Sequence, residues 1–363
     1  MQKKVCISPL DWGLGHATRC IPLIEAFKAL DYKIYIATSG PQEAILKQAI
    51  PYAHFLPLAG YQIRYTKNKY LLFFALLWQL PKMIFHIWQE HQWLKKAQQT
   101  YQFDLLISDN RFGFFHKQIA SVFITHQLYL QTPFVWTSRL YQKILYRWLN
   151  NFTSCWIPDI QAAPGLSGTL AHPTKMPTTS FWYMGVLSRW NSVDNIKEEN
   201  AENEIEFLAI VSGPEPQRTL FEKQIWEQGN ALGKKFVLVA GLPSQSLYKK
   251  VSTCGICYHH LDSHALATQI KKAKYIISRG GYTSLMELIG FQKKLILVPT
   301  PGQTEQAYLS AHWSKLRWAV SMDAESFQLS NALELAHISP VEQPAFAAFS
   351  TEALAANLKT LNL

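Results

Sequence analysis

The chain has 363 residues, of which 48% are apolar and 17% charged, and a formal net charge of +10. That length supplies two domains with separate cores, and the composition excludes a disordered or collagen-like chain. Residues 1–190 hold 19 Lys+Arg against 8 Asp+Glu and the remainder 16 against 17, so the first half is expected to meet something anionic: nucleic acid, an anionic membrane surface or an acidic acceptor.

Met1-Gln2-Lys3-Lys4 runs directly into a strand, which does not read as a secretory signal, and the five cysteines are odd in number and scattered. Both features point to a reducing cytoplasm. Val5 to Ser8 is the first predicted strand, and the loop Pro9-Leu-Asp-Trp-Gly-Leu-Gly15 leads into a helix over His16 to Leu30. Ile21, Ile24, Phe27 and Leu30 fall on one helical face, with Pro22 in the early turns. Lys33 to Thr38 reads as the second strand, completing a βαβ unit.

Gly13 and Gly15 let the backbone turn tightly and approach a ligand, but the third glycine of the dinucleotide fingerprint is missing. That argues against a nicotinamide or flavin enzyme. His16 follows the second glycine at the helix start, where the positive dipole end favours the neutral, proton-accepting imidazole. It is the candidate base, and Arg19, one turn on, is placed to steady an anionic substrate.

Residues 69–99 combine the apolar run Leu71 to Trp78 with Ile84, Phe85, Ile87, Trp88 and Trp93, and lysines lie around them at 67, 69, 82, 95 and 96. The run is too short to span a bilayer. A buried crossover helix accounts for most of these side chains, while peripheral contact with an anionic membrane through residues 67–96 stays open.

Strands are predicted over Asp104 to Asp109 and Ser121 to Thr125. Asp109, Arg111 and His126 follow at strand ends, which face the crevice of a doubly wound domain, and are the acceptor-side candidates with Arg19. The segment Arg139 to Leu149 is a helix rich in Tyr, Trp and Arg, without a recognised nucleic-acid motif.

Composition then divides the chain into a first domain over 1–187, a polar linker over 188–204, a second domain over 205–340 and a terminal helical segment over 341–363. The second domain restarts with a strand over Glu206 to Ser212 and the turn Gly213-Pro-Glu-Pro-Gln-Arg218. Cys254-Gly-Ile-Cys257 with His259 and His260 allows zinc, but without a second spaced pair it reads better as strand packing.

Residues 276–306 give strand, glycine loop, helix, strand: Ile276-Ile-Ser-Arg-Gly-Gly-Tyr-Thr-Ser-Leu-Met-Glu287, then Leu295 to Val298 and Pro299 to Gln306. Ser284 and Glu287 form an S-x-x-E pattern expected to open the helix. Free amides at such a helix start receive phosphate, and Arg279 is placed to grip its oxygens.

This stretch resembles the carboxy-terminal nucleotide-sugar half of MurG-like glycosyltransferases, and Gly13-Leu-Gly-His16 resembles the amino-terminal glycine loop of the same group. The resemblance implies an α/β GT-B fold, two doubly wound Rossmann-like domains with the site in the cleft between them, and a UDP-type nucleotide-sugar donor. By the same resemblance Glu287 holds the ribose, Glu305 and Gln306 meet the donor sugar, and Ser278 to Ser284, including Gly280, Gly281 and Thr283, lie near the diphosphate. The terminal helix returns to the first domain. In the turn after the second domain's first strand, Pro214 and Pro216 depart from the group's glycine-rich pattern, leaving Ser212, Gly213 and Arg218 as phosphate contacts.

The expected activity is metal-independent transfer of a sugar to an acceptor hydroxyl, since the sequence holds no D-x-D triplet. The acceptor is unidentified, with a lipid-linked one left open, and no cofactor and no nucleic acid are expected. Two rivals stand beside it. G-L-G-H-A-T-R-C also resembles the amino-terminal loop of the UDP-sugar hydrolase of pseudaminic acid biosynthesis, and the basic first half permits a noncatalytic nucleotide or nucleic-acid binding module.

Overall fold

The computed structural model describes residues 2–11, 13–61, 79–132, 134–190, 204–242 and 248–363. The apolar run over 71–78, Lys67, Lys69 and most of the linker lie outside the described residues. Of the described residues, 2–190 and 346–363 fall in one compact unit and 204–345 in a second.

In chain order the first unit contains β1 (Lys4–Pro9), α1 (Gly15–Ala29), β2 (Lys33–Thr38), α2 (Pro41–Ala49), β3 (His54–Pro57), α3 (Leu80–Tyr101), β4 (Leu105–Asp109), β5 (Ala120–Ile124), α4 (Val135–Leu149), β6 (Ser154–Ile157) and β7 (Phe181–Tyr183). Its strands pair in the order β3-β2-β1-β4-β5-β6-β7, all parallel. Each strand alternates between two helical layers, because successive side chains leave opposite faces of a sheet. Val5, Ile7, Leu105, Ile107, Val122 and Ile124 pack against Leu23, Ile24 and Phe27 of α1. On the other face Cys6 and Leu106 meet Leu94 and Ala97 of α3, while Phe123 and Cys155 meet Leu145 and Leu149 of α4.

The second unit continues with β8 (Ile205–Ile210), α5 (Gln217–Leu232), β9 (Phe236–Val239), β10 (Tyr248–Val251), β11 (Gly255–Tyr258), α6 (Ser263–Lys272), β12 (Ala273–Ser278), α7 (Tyr282–Leu288), β13 (Lys294–Leu297), α8 (Thr304–Lys315), β14 (Val320–Ser321) and α9 (Leu329–Ile338). Its sheet runs β10-β11-β9-β8-β12-β13-β14, parallel except for the β10–β11 pair. The final helix, α10 (Thr351–Thr360), inserts Leu354 and Leu358 into the core beneath α1. Phe349 joins them, and Val186 pairs with Ala348.

Three expectations meet specific outcomes. Cys257 is fully buried in β11, so it packs within a strand. The crossover helix is present as α3, yet only its later turns are covered: Leu94 is buried, whereas Ile84, Phe85 and Trp88 are exposed. Ser284 and Glu287 do not form a capping box. Helix α7 starts two residues before Ser284, with Gly281 as an extended N-cap residue and no side-chain cap. The sequence signal misled because the glycine supplies the bend that the serine was expected to make.

Candidate active site

In the first unit, the loop before α1 is pinned before any functional group is placed. Gln42 Nε2 donates to the carbonyls of Asp11 at 3.0 Å and Gly13 at 3.4 Å, and the Tyr61 amide donates to Asp11 Oδ1 at 3.0 Å. Gly13 has φ +88°, a conformation that a Cβ would strain. Helix α1 has no side-chain cap at its start, so no capping group offsets the positive dipole end at which His16 sits.

Four of the expected residues converge at the carboxy-terminal edge of this sheet. Asp109 ends β4 and is wholly buried; His16 Nδ1 lies 2.9 Å from its Oδ2. Arg19 Nε donates to the same oxygen at 2.9 Å, and its Nη2 pairs with Oδ1. Nη1 stands 3.2 Å from His126 Nδ1 just beyond β5. The Cys20 thiol, 3.7 Å from Asp109 Oδ2, completes the surroundings of the carboxylate.

Burial would push the Asp109 carboxyl up, but the Arg19 guanidinium and His16 hold it well below the usual carboxylate range. His16 moves down as well, first through burial and then through the charge of Arg19, with Asp109 pulling only partly the other way. The result is an ionised acid beside an imidazole that resists protonation. Nδ1 of His16 also lies 2.8 Å from Arg19 Nη2, so donor and acceptor compete for it. When Nδ1 carries the proton and donates to Asp109, the Nε2 lone pair is left to accept one.

Arg111 is not part of this group. Its Nε donates to Glu90 Oε1 at 2.8 Å and its Nη2 to the Ala59 carbonyl at 2.6 Å. The Tyr61 hydroxyl donates to the other Glu90 oxygen at 2.5 Å. Both charged side chains are almost wholly inaccessible. The acceptor-side expectation for Arg111 is therefore corrected: a buried guanidinium needs a paired anion, and Glu90 of α3 provides it. This cluster ties α3 to the ends of β1 and β4.

In the second unit three strand-end loops meet. Thr300, after β13, donates its amide to Gln306 Oε1 at 2.8 Å. A Cβ on Gly213 would stand 3.4 Å from Thr300 Oγ1, and one on Gly281 would stand 3.9 Å from Gln306 Nε2. Gly280 has φ +72°, and its Cβ would come within 2.5 Å of Ser310 Oγ, so only glycine allows the loop to sit against α8. Among the described residues, the side-chain oxygens of Ser278, Thr300 and Ser310 are buried around these loops without a hydrogen-bond partner. Buried hydroxyls are ordinarily satisfied, so this cluster marks a polar region suited to an additional hydrogen-bonding group.

Residues 228–336 match the model of the glycosyltransferase family 28 C-terminal domain. No curated protein matches the chain. Among solved structures, Arabidopsis thaliana UGT89C1 complexed with quercetin aligns at TM-score 0.67 and 13% identity, with 100% of each chain covered. The glycotransferase of kitacinnamycin aligns at TM-score 0.65 and 14% identity, over 99% of this chain and 95% of its own. The spinosyn rhamnosyltransferase SpnG aligns at 0.61 and 12%, over 99% and 100%. These likenesses, all under 25% identical, show the two-domain GT-B fold. They give the hydrolase rival no support.

Within the matched stretch, Gly280, Gly281, Thr283, Ser284 and Glu287 lie on the loop and helix after β12, and Glu305 and Gln306 lie on the first turn of α8. Glu287 and Gln306 are nearly buried. Arg279, expected to grip phosphate, is anchored on the protein's own carbonyls, while its Nε is buried without a hydrogen-bond partner among the described residues. Its Nη2 donates to the Gln217 carbonyl at 2.8 Å and its Nη1 to that of Val298 at 3.3 Å, with the guanidinium 3.8 Å from the centre of the Phe221 ring. Burial, which strips water from the guanidinium, pushes it down to about 10.

Arg218, expected to offset the two prolines, is likewise engaged inside the unit. It pairs with Glu215 at 2.6 Å and Glu222 at 3.0 Å and donates to the Ala240 carbonyl at 3.1 Å. Ser212 and Gly213 keep their places at the strand end, while the family match begins only at residue 228. Sequence reading missed Ser278, Thr300 and Ser310 as a group and the Glu90–Tyr61 pair. Small hydroxyl residues carry no distinctive spacing, and neither cluster is contiguous in the chain.

Proposed function

We propose that the chain transfers a sugar from a UDP-type nucleotide-sugar to an acceptor hydroxyl, with His16 as general base and without a metal ion. The observation that carries this reading is the His16–Asp109 contact at 2.9 Å, reinforced by Arg19, on a helix start in a GT-B fold. Asp109 holds the Nδ1–H tautomer and stabilises the imidazolium formed when Nε2 takes the acceptor proton. The acceptor oxygen then attacks the anomeric carbon as the sugar–phosphate bond breaks, and the diphosphate leaves with the electron pair. In the matched stretch, the loop around Gly280 and the start of α7 would receive that diphosphate, Glu287 the ribose, and Glu305 with Gln306 the sugar. A screen of UDP-, GDP- and TDP-sugars by thermal shift identifies the donor, because a ligand specific for the folded state raises the melting temperature.

Glu287→Ala is expected to weaken UDP-sugar binding by about 10- to 100-fold in calorimetry, the loss for hydrogen bonds from a charged group. Unchanged affinity would remove Glu287 from the site. The pH profile supplies a separate check. His16 sits below the ordinary imidazole value, so the acid limb of kcat/KM is expected below about pH 6.5. Stability has the same sign: an unfolded His16 takes up its proton as pH falls through about 6.5 while the folded one resists, so stability drops on that side. Asp109 contributes stability above its unfolded value of about 3.9, and that contribution is lost as acid titrates the folded carboxylate. An acid limb well above pH 6.5 would assign the base elsewhere.

A further inference from the structure

One turn of α1 delivers every polar contact that the Asp109 carboxylate makes among the described residues. His16, Arg19 and Cys20 stand at i, i+3 and i+4, the spacing that puts side chains on one face of a helix, and that face meets the end of β4. Oδ2 meets His16 Nδ1 at 2.9 Å, Arg19 Nε at 2.9 Å and Cys20 Sγ at 3.7 Å, while Oδ1 meets only Arg19 Nη2. A carboxylate has about four lone-pair sites, two on each oxygen. Oδ2 is therefore oversubscribed, and because Asp109 is wholly buried, bulk solvent does not share the load.

The thiol acts here as a donor and not as a nucleophile. Cys20 is 1% exposed. Burial, joined by the charge of Asp109, pushes its thiol well above the ordinary range, with Arg19 pulling only partly back. It therefore keeps its proton, whereas attack on a substrate would need an accessible thiolate. The S–H turns its positive end toward Oδ2, the same oxygen that holds His16, and draws charge from it, so less is left to stabilise the imidazolium that His16 becomes. His126, just after β5, reaches the cluster through Arg19 Nη1. On the other helices packed against α1, Glu43 of α2 is paired with Lys47 at 2.7 Å, and Glu352 and Lys359 of α10 are exposed.

We propose that Cys20 is a positioning residue of the transferase site: by donating to Asp109 Oδ2 it competes with His16 for that oxygen and holds down the basicity of the imidazole, a role that depends on His16 being the base of the reaction. A less basic imidazole stays unprotonated, and ready to accept, at pH values where an ordinary one is half charged. The alternative is that the sulfur only fills the layer beneath α1, where Cys20 also joins the apolar core. The two roles part when the sulfur is replaced. Removing a donor from Oδ2 frees charge for His16 and raises its titration midpoint whatever the size of the replacement, whereas a filler leaves the midpoint alone once its volume is restored. Serine is a poor substitute, since its hydroxyl sits on a shorter bond and can turn back to the His16 carbonyl one turn earlier.

The test is an NMR titration of the full chain without ligand, its histidine rings labelled with carbon-13 and the His16 resonance assigned by its loss in His16→Gln. Cys20→Ala and Cys20→Val are each expected to raise the His16 midpoint by about half a pH unit, a small part of the strength of a hydrogen bond to a charged group. Below both midpoints the unprotonated fraction of His16 then falls about threefold. Circular dichroism and the melting temperature establish that each variant is folded; if valine does not fold, the sign and size of the alanine shift decide. A midpoint that stays in place or falls in a folded variant would overturn the proposal. So would a shift in Cys20→Ala that Cys20→Val returns to the wild-type value, the mark of packing alone. The acid limb of kcat/KM in the same variants is read separately: a limb that stays while the His16 midpoint moves removes His16 as the base and leaves the coupling of Cys20 to Asp109 standing.

Discussion

His16→Ala is expected to lower kcat by about a hundred- to ten-thousandfold while leaving nucleotide-sugar affinity within about twofold, the range associated with removing a positioned general base. The separation of the two effects matters, because His16 is in the first unit and the proposed donor contacts are in the second. Asp109→Asn is expected to produce a loss of similar order. An amide cannot stabilise the imidazolium, and it weakens the preference for a proton on Nδ1. Arg19 would then lack its anion, so the variant's fold must be checked by circular dichroism before its rate is read. Single-turnover release of UDP separates the chemical step from product departure. An Asp109→Asn protein that folds and retains wild-type kcat would break the dyad assignment, even if His16 proved essential.

The largest expected effect on stability lies away from the reaction. Glu90→Ala removes the anion from a guanidinium that is 1% exposed and deprives the Tyr61 hydroxyl of its acceptor. Breaking a buried pair from one side costs about 3–5 kcal/mol, because the remaining charge stays desolvated. In urea unfolding followed by fluorescence, the transition assigned to the first unit is expected to shift by that amount, with the second unit's transition unchanged. Replacing the pair together, Glu90→Leu/Arg111→Met, is expected to recover most of the loss. A Glu90→Ala cost below about 1 kcal/mol would mean that water solvates Arg111 in the folded protein.

Much of the architecture was legible in the residues. The strand over Lys33 to Thr38 lies where it was expected, and β4, β5 and β13 differ from the expected spans by one residue at one or both ends. Short apolar runs at parallel-sheet positions are buried on both faces, which makes their cores easy to find and their ends less so. His16 could be singled out from its place after two glycines. Its partner could not be paired with it, because Asp109 is 93 residues away and only the β1–β4 pairing brings the two together.

Charge direction was harder still. Arg111, Arg218 and Arg279 all follow strands and looked available to a ligand, yet each turns inward onto carbonyl groups, a carboxylate or a ring. A strand-end position fixes where a side chain starts. Where its head goes depends on neighbours from distant segments, such as Glu90 for Arg111. Helix α7 shows the same limit at short range, since the extended backbone of Gly281 overrode the cap suggested by Ser284.

The return of the last eighteen residues to the first sheet has a consequence for biogenesis. Leu354 and Leu358 fill the layer beneath α1, and each fully buried leucine contributes about 1.5–3 kcal/mol. An emerging polypeptide therefore cannot finish its leading half until residues 346–363 have been synthesised. The trailing half, contiguous in sequence, can mature first, reversing the order in which the two leave the exit tunnel.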